Sequence, residues 1–432
     1  MTASAVPITS VSAGEFYREL KNISSWWQQH AVDKQYGGFV GEIDHLGKVV
    51  DNADKGIILN TRLLWFFSEA ALFFRDELKD DVQQDKCAAL AGRAFYYLLE
   101  CFDDPQHGGV FWSLDYKGRL FDGKKQTYAL AFAIYGLCAY YKLTRESQAL
   151  AKAMGYFQLL ESRALDTVNG GYCEAFAADW SPLQDMRLSN KDDNLPKTMN
   201  THLHVLEAYT ALYSANPTPA TREALARNIR YFSEHIINPD NGHLRLFMEM
   251  DWQDKSRHYS FGHDIEGSWL LYEALQVLAE PELLAGLTPL VIKLARTCLR
   301  EGLSQGLSDN GRVLEAYDFI EKEIDPCSDW WVQAEAMVGF LNAYQLTQDT
   351  EYIKAFEGIW HFTRQQHLDR ENGEWHWLAL EDQASKPARY KAGFWKAPYH
   401  NGRAMMEICR LLAAMPAKEQ AAGRGQLVGA SI

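Results

Sequence analysis

Six glycine-centred turns recur along the chain, and they constrain its fold more than any other feature. They are Tyr36-Gly37-Gly38-Phe39, His107-Gly108-Gly109-Val110, Asn169-Gly170-Gly171-Tyr172, Asn241-Gly242-His243, Asn310-Gly311-Arg312 and Asn372-Gly373-Glu374, spaced 62 to 71 residues apart. Each leads into a short alternation of apolar and polar residues, as in Gly109-Val110-Phe111-Trp112-Ser113-Leu114. That pattern is a turn followed by a short strand. Its recurrence implies one supersecondary unit used six times.

Between the turns lie twelve helical patterns, at approximately 11–31, 57–78, 82–102, 125–143, 146–163, 198–215, 219–237, 263–279, 283–303, 329–346, 350–367 and 398–414. Thr218-Pro219 and Asp349 before Thr350-Glu351 are helix start signals. Connections from an even helix to the next odd one are short, which makes antiparallel neighbours. Connections from odd to even are long and hold the glycine turn. Six helix pairs with their long loops at one end predict an all-α fold. It is an (α/α)6 barrel of six inner and six outer helices, with short β-hairpins in the long loops. An open solenoid is the alternative, but six near-equal repeats without polar capping repeats favour closure. No domain boundary interrupts the pattern. Residues 1–432 therefore read as a single domain with an ordered core at about 12–414 and a fraying tail after Ala414.

A hydrophobic content of 47% in 432 residues suffices for a large core, and the net charge of −14 argues against nucleic acid or an anionic membrane as partner. The first ten residues, MTASAVPITS, lack the basic and apolar regions of a signal peptide. No run of about eighteen apolar residues is present. Seven cysteines, with no CxxC pair and no zinc-like spacing, point to reduced thiols and a cytoplasmic location.

The candidate chemistry lies at the starts of the even helices, each of which follows a long loop. Those starts carry Asn60-Thr61-Arg62, Gln126-Thr127-Tyr128, Asn200-Thr201-His202-Leu203-His204, His263 to Glu266, Trp330-Trp331 to Glu335, and Trp395 to His400-Asn401. His263 and Glu266 are three apart, and Asn200/His204 and Trp331/Glu335 are four apart, so each pair shares a helix face. One buried His–Glu pair is ordinarily a satisfied structural pair. Six polar or aromatic clusters at matching positions instead imply one shared cavity at one end of the barrel. Of His202 and His204, one is expected to face a neighbouring helix. Three histidines with an arginine and acids suit proton transfer near neutral pH. Trp331, Trp375, Trp377 and Trp395 suit stacking on sugar rings. There is no HExxH, and the histidines come from different repeats, so no metal is expected. No serine nucleophile elbow, P-loop or GxGxxG is evident.

Asn60-Thr61-Arg62, residues 199–209 (MNTHLHVLEAY), Gly262-His263-Asp264-Ile265-Glu266, Trp331 to Glu335 and Lys396-Ala397-Pro398-Tyr399-His400-Asn401-Gly402 resemble the N-acylglucosamine 2-epimerase superfamily. Residues 199–209 are most similar to its cellobiose 2-epimerase branch. The resemblance spans roughly residues 12 to 414, and its fold is an (α/α)6 barrel. It implies cofactor-independent epimerisation at C2 of the reducing-end sugar of β-1,4-linked disaccharides. By motif, His263 and His400 would remove and return the C2 proton, and His204 would assist ring opening. Glu266 would tune or orient His263, and Arg62 would stabilise the ene-diolate oxygens. Asn200 and Tyr128 would hold sugar hydroxyls, Glu335 would complete the polar shell, and Trp331 and Trp395 would stack on the sugar. Asp192 would reach the distal sugar. Ala397 departs from the motif, where a cysteine is more usual; it is not a proposed catalytic position.

A small-molecule sugar is the expected partner of a monomer or homodimer. The nearest alternative is a mannose 2-epimerase or mannose isomerase acting on monosaccharides. An N-acetylhexosamine 2-epimerase fits residues 199–209 less well. A glycoside hydrolase on the same barrel would use Glu266 and Glu335 across a glycosidic bond, leaving the histidines without a role. A non-catalytic sugar-binding module would explain the tryptophans but not the clustered histidines and arginine.

Overall fold

The computed structural model describes residues 9–304, 311–384, 386 and 388–415. It contains twelve α-helices: α1 (Ala13–His30), α2 (Ile57–Phe73), α3 (Asp81–Tyr97), α4 (Thr127–Thr144), α5 (Ser147–Leu159), α6 (Met199–Ala215), α7 (Pro219–Tyr231), α8 (Phe261–Leu278), α9 (Pro281–Thr297), α10 (Trp330–Thr347), α11 (Thr350–Gln366) and α12 (His400–Ala414). Each matches one of the helical patterns read from the sequence. The tail beyond Met415 lies outside the described residues.

The even helices form the inner ring. Along it α2 packs on α4, α4 on α6, α6 on α8, α8 on α10, α10 on α12, and α12 on α2 again. The odd helices pack outside, with α1 against α12. The ring is therefore closed, and a bridge between Ile43 and Ala392 joins the first long loop to the last. Inner position explains composition: every residue of α2 is buried, so it needs no polar face. The stretch Ile57–Leu78 is apolar and long enough to cross a membrane, but its apolar part is buried within the barrel wall, and only the charged end from Arg75 is exposed.

Short strands stand in the long loops as expected, and some close a hairpin inside a single loop while others pair across repeats. Lys55–Gly56 pairs with Ser113–Leu114, Lys125–Gln126 with Ala175–Phe176, and Lys197–Thr198 with Phe247–Met248. Each joins the start of one inner helix to the loop of the next repeat. Hairpins do occur between Ser113–Leu114 and Leu120–Asp122, and between Ala316–Asp318 and Glu323–Asp325. Pairing across repeats is favoured because each loop brings only two or three extended residues, too few for a stable hairpin alone.

The glycine turns hold the loops to the inner ring. Gly171 has φ +80°, and a Cβ there would lie 2.5 Å from Trp252 and 2.9 Å from His202, so no side chain fits. Ahead of four of the turns an aspartate accepts backbone N–H groups and a lysine. Asp33 bonds Lys55 (2.6 Å), Asp104 bonds Lys125 (2.6 Å), Asp166 bonds Lys197 (2.8 Å) and Asp369 bonds Lys391 (2.7 Å). All four lysines are buried. Three of them lie one or two residues before α2, α4 and α6 and so fix where those helices begin. Of the fifth expected turn, Asn310 lies outside the described residues, and Gly311 directly precedes the strand Arg312–Val313.

Candidate active site

The first turns of the inner helices converge on a cavity of about 510 Å3. Ten of the eleven residues given site roles by the resemblance line it: Arg62, Tyr128, Asp192, Asn200, His204, His263, Glu266, Trp331, Trp395 and His400. Glu335 is fully buried behind them and holds His400 from below. Of the other two tryptophans expected to stack on sugar, Trp377 lines the cavity too, but Trp375 does not: it is fully buried and donates to Glu19 at 2.8 Å. The convergence follows from topology: six inner helices run the same way, so their N-termini share one mouth. Their positive dipole ends face the cavity, where negative charge is stabilised.

Arg62 on α2 donates to the Trp395 carbonyl (2.7 Å) and to the Tyr128 hydroxyl (2.9 Å). Its guanidinium lies over Phe132 and Tyr399, and its Nε has no partner among the described residues. Asn200 on α6 has a buried, unpartnered Oδ1. His204 Nδ1 meets Glu207 Oε2 at 3.1 Å. His202 faces away: its Nδ1 meets the Thr198 carbonyl at 2.7 Å and its Nε2 accepts from Tyr172 N at 3.0 Å. It is therefore a structural histidine, as the pairing of faces on α6 requires.

The expected pairing of Glu266 with His263 is corrected. His263 Nδ1 lies 2.8 Å from Ser260 Oγ, whereas Glu266 accepts from Arg403 at 2.8 Å and sits 3.9 Å from His400 Nδ1. Side chains on a helix tilt towards its N-terminus. His263, in the first turn, leans to the mouth and meets the preceding strand. Glu266, a turn lower, reaches the barrel axis. His400 Nδ1 contacts Glu335 Oε1 at 2.7 Å. That contact places the imidazole proton on Nδ1 and leaves the Nε2 lone pair free.

Arg403, which sequence reasoning passed over, occupies the axis. It donates to Glu207, Glu266, Glu335 and the Tyr399 hydroxyl, and all four partners are buried. A signal for it was present. His204/Glu207, His263/Glu266 and His400/Arg403 are each a histidine with a charged residue three positions on. Trp377, Arg389, Tyr390, Trp330, Leu188, Ser189 and Lys191 also line the cavity. Leu188, Ser189, Lys191, Arg389 and Tyr390 come from loops without a repeat pattern, whereas Trp377 follows the sixth glycine turn and Trp330 opens α10. Trp330 packs on Trp377, with centroids 4.4 Å apart. Trp331 touches both His263 (4.8 Å) and His400 (5.5 Å).

Burial sets the charge states. Desolvation, with the nearby His204 and His258, pushes His263 down to about 3. Burial and the Arg62 and Arg403 charges hold His400 well below the usual histidine range. Burial and the Glu335 carboxyl hold Glu266 well above the carboxylate range. The site thus offers neutral imidazoles beside fixed guanidinium charge, an arrangement for removing a proton next to a carbonyl. In histidine NMR of the free protein, His263 and His202 (about 4) should stay neutral from pH 7 to about 5, while unperturbed histidines titrate near 6.5. A His263 resonance titrating near 6.5 would contradict this.

Glu266, Glu335 and His400 bring possible metal-ligand atoms within 4.8 Å of one another. Arg403 already bonds both carboxylates there, so a cation would have to displace a buried guanidinium.

The N-acylglucosamine 2-epimerase (GlcNAc 2-epimerase) family model matches residues 37–404. A cellobiose 2-epimerase of Bacteroides fragilis is 41% identical over 396 residues, covering 91% of this chain and 97% of that protein. The structure of a cellobiose 2-epimerase from Bacillus thermoamylovorans superposes with a TM-score of 0.83 at 35% identity, covering 92% of this chain and 98% of the other. A D-mannose isomerase of Marinomonas mediterranea is 24% identical over 393 residues, covering 87% and 92%. The closed barrel, the histidine-lined mouth and these similarities agree: the chain belongs to the N-acylglucosamine 2-epimerase family, whose members are sugar epimerases and isomerases.

Proposed function

We propose that the protein inverts C2 of the reducing-end sugar of β-1,4-linked disaccharides, converting cellobiose to glucosyl-mannose and mannobiose to mannosyl-glucose, without a cofactor. The observation that carries this reading is the placement of His263 and His400. Both are neutral imidazoles on one cavity, and both touch Trp331. The cellobiose 2-epimerases similar to this chain support the substrate class.

Ring opening moves the anomeric hydroxyl proton to the ring oxygen, assisted by His204 on its Glu207 support. In the open aldehyde the C2 proton is acidic enough for a histidine to take, provided the ene-diolate is stabilised. Arg62 and the helix N-termini place positive charge there. The histidine that takes the proton becomes an imidazolium. The other returns a solvent-derived proton to the opposite face of C2, and the first then releases its proton to solvent. The developing negative charge raises the proton affinity of both histidines. Delivery to C1 instead would yield the ketose, so some aldose–ketose isomerisation is expected. Tyr128 and Asn200 bind hydroxyls, Trp331 and Trp395 stack on the sugar, and Asp192 reaches towards the distal ring.

A hydrolase would need its two carboxylates on either side of the bond. Glu266 and Glu335 instead share one guanidinium beneath His400. The test is proton NMR of cellobiose, mannobiose and mannose, each incubated with the pure protein in D2O. Deuterium at C2 of a disaccharide, with mass otherwise conserved, is the expected result. Exchange confined to mannose would move the assignment to the monosaccharide enzymes, and release of monosaccharides would refute an epimerase.

A further inference from the structure

One backbone bond closes each of the glycine turns other than the fifth, and it puts them in register. The N–H of Asp33 donates to the Gly38 carbonyl, Asp104 to Gly109, Asp166 to Gly171, Asn238 to His243 and Asp369 to Glu374. The accepting residue is thus glycine in the first three repeats, His243 in the fourth and Glu374 in the sixth. Those last two are the repeats whose inner helices, α8 and α12, carry His263 and His400.

Both replacements reach the start of their own inner helix. His243 Nδ1 lies 2.7 Å from Asp264 Oδ2, and Leu244 N donates to Asp264 Oδ1 at 2.8 Å. Asp264 directly follows His263. Glu374 Oε1 accepts from Asn401 Nδ2 at 2.7 Å and from Lys396 Nζ at 3.0 Å. Asn401 directly follows His400. These side chains are all buried, and none of them lines the cavity. Glu374 has φ +59°, the left-handed region that disfavours a side chain. In the fourth repeat Asn238 stands for the turn aspartate, and Tyr259 for the lysine that precedes α2, α4 and α6. Tyr259 stacks instead on the His243 ring, with centroids 3.7 Å apart. A costly side chain at a place that glycine fills elsewhere points to a use.

We propose that His243 and Glu374 are positioning residues for the proton transfer: each fixes the first turn of its inner helix through the residue that follows the histidine, and so aims the His263 or His400 imidazole. The proposal rests on the reading under Proposed function, in which those two histidines act on C2. Ser260 and Glu335 hold the two rings by a ring nitrogen. His243 and Glu374 hold the backbone that carries each ring. Proton transfer tolerates little displacement, and a shift of about 1 Å at the reacting atoms can cost 10²-fold in rate. Sugar binding draws on groups from all six inner helices and several loops. Loosening one helix start should therefore show in turnover before it shows in affinity.

The experiment compares His243→Gly and Asn401→Ala with the unmodified chain, using cellobiose and mannose in D2O. Neither change strands an acid: Asp264 keeps Leu244 N, and Glu374 keeps Lys396 and the Trp27 indole as donors. Both variants should lower kcat for C2 exchange about tenfold or more, with KM for cellobiose nearly unchanged. In histidine NMR of the free proteins, His243→Gly should move the His263 ring signals more than those of His400, and Asn401→Ala the reverse. Asp264→Asn and Glu374→Gln keep a bonding atom at each place and should retain most of kcat. A merely structural turn would lower Tm and leave kcat and the ring signals of the folded protein unchanged. That result in either variant overturns the assignment for its residue. A loss as large in the two conservative variants would trace the effect to charge and overturn positioning for both. If the unmodified chain exchanges the C2 proton of neither sugar, the reaction reading fails, while the ring signals still decide whether His243 and Glu374 hold the two imidazoles.

Discussion

Replacing either His263 or His400 by alanine should remove C2 exchange, lowering its rate by about 10³-fold or more, while the barrel stays folded. Neither side chain is needed to close the structure. The His263 imidazole has one hydrogen-bond contact, Ser260 Oγ, and truncation leaves a hydroxyl at a wet cavity wall. His400 contacts Glu335, but Glu335 keeps Arg403 and the Trp269 indole as donors when His400 is gone. Circular dichroism and Tm check the fold, and deuterium incorporation in D2O checks the chemistry. The two variants should be similarly inactive, because epimerisation needs a group on each face of C2. His204→Ala should differ. Sugars open slowly without help, so exchange should be reduced but measurable. Full exchange persisting in both His263→Ala and His400→Ala would end the two-base assignment.

The second large effect is expected at Arg403. Its guanidinium bonds three buried carboxyl groups, Glu207, Glu266 and Glu335, and stacks on Tyr399 and Trp269 at 4.2 and 4.7 Å. Two of those carboxylates orient histidines: Glu207 holds His204 and Glu335 holds His400. Arg403→Leu would leave the carboxylates without their cation. Breaking a buried pair of this kind costs about 3–5 kcal/mol, and activity should be lost along with the two imidazole orientations. Arg403→Lys should be intermediate, since one ammonium cannot bridge three acids in fixed geometry.

The pH dependence of Arg403→Leu has a definite sign. Burial favours the protonated carboxyl, and in the native protein Arg403, His204 and Tyr399 together outweigh it at Glu207, which lies below the usual range. Without Arg403, the folded-state pKa of Glu207 rises above its unfolded value. Stability is then fully present below the unfolded pKa and is lost as pH rises through the folded one. The variant should therefore melt closer to the unmodified protein at pH 5 than at pH 8, and the opposite ordering would show that the cluster is not held by Arg403. A surface ion pair would show little of this, being worth under about 1 kcal/mol.

The acid partners of the histidines show where sequence reasoning stops. His263 and Glu266 share a face by spacing, and both line the cavity. Spacing could not show that they sit at different depths, with Ser260 taking the histidine and Arg403 the acid. The i, i+3 pattern repeats at His204/Glu207 and His400/Arg403, yet its meaning depends on which helices face each other across the barrel. Arg403 meets Glu207 and Glu266 across 196 and 137 residues of chain. The strands divide similarly: their existence was legible from turn residues and alternation, but not that those just before α2, α4 and α6 would pair with the loop of the next repeat.

By itself, then, the amino-acid sequence determined the twelve helices, the six-fold repeat, the closed (α/α)6 ring and the end of that ring where polar side chains gather. Those follow from helical periodicity, turn chemistry and connection length, all local or periodic properties of a chain. The tertiary structure alone decided which carboxylate supports which histidine and that a buried arginine ties them together. Hydrogen bonds across a barrel are set by depth and facing, and no linear spacing encodes either.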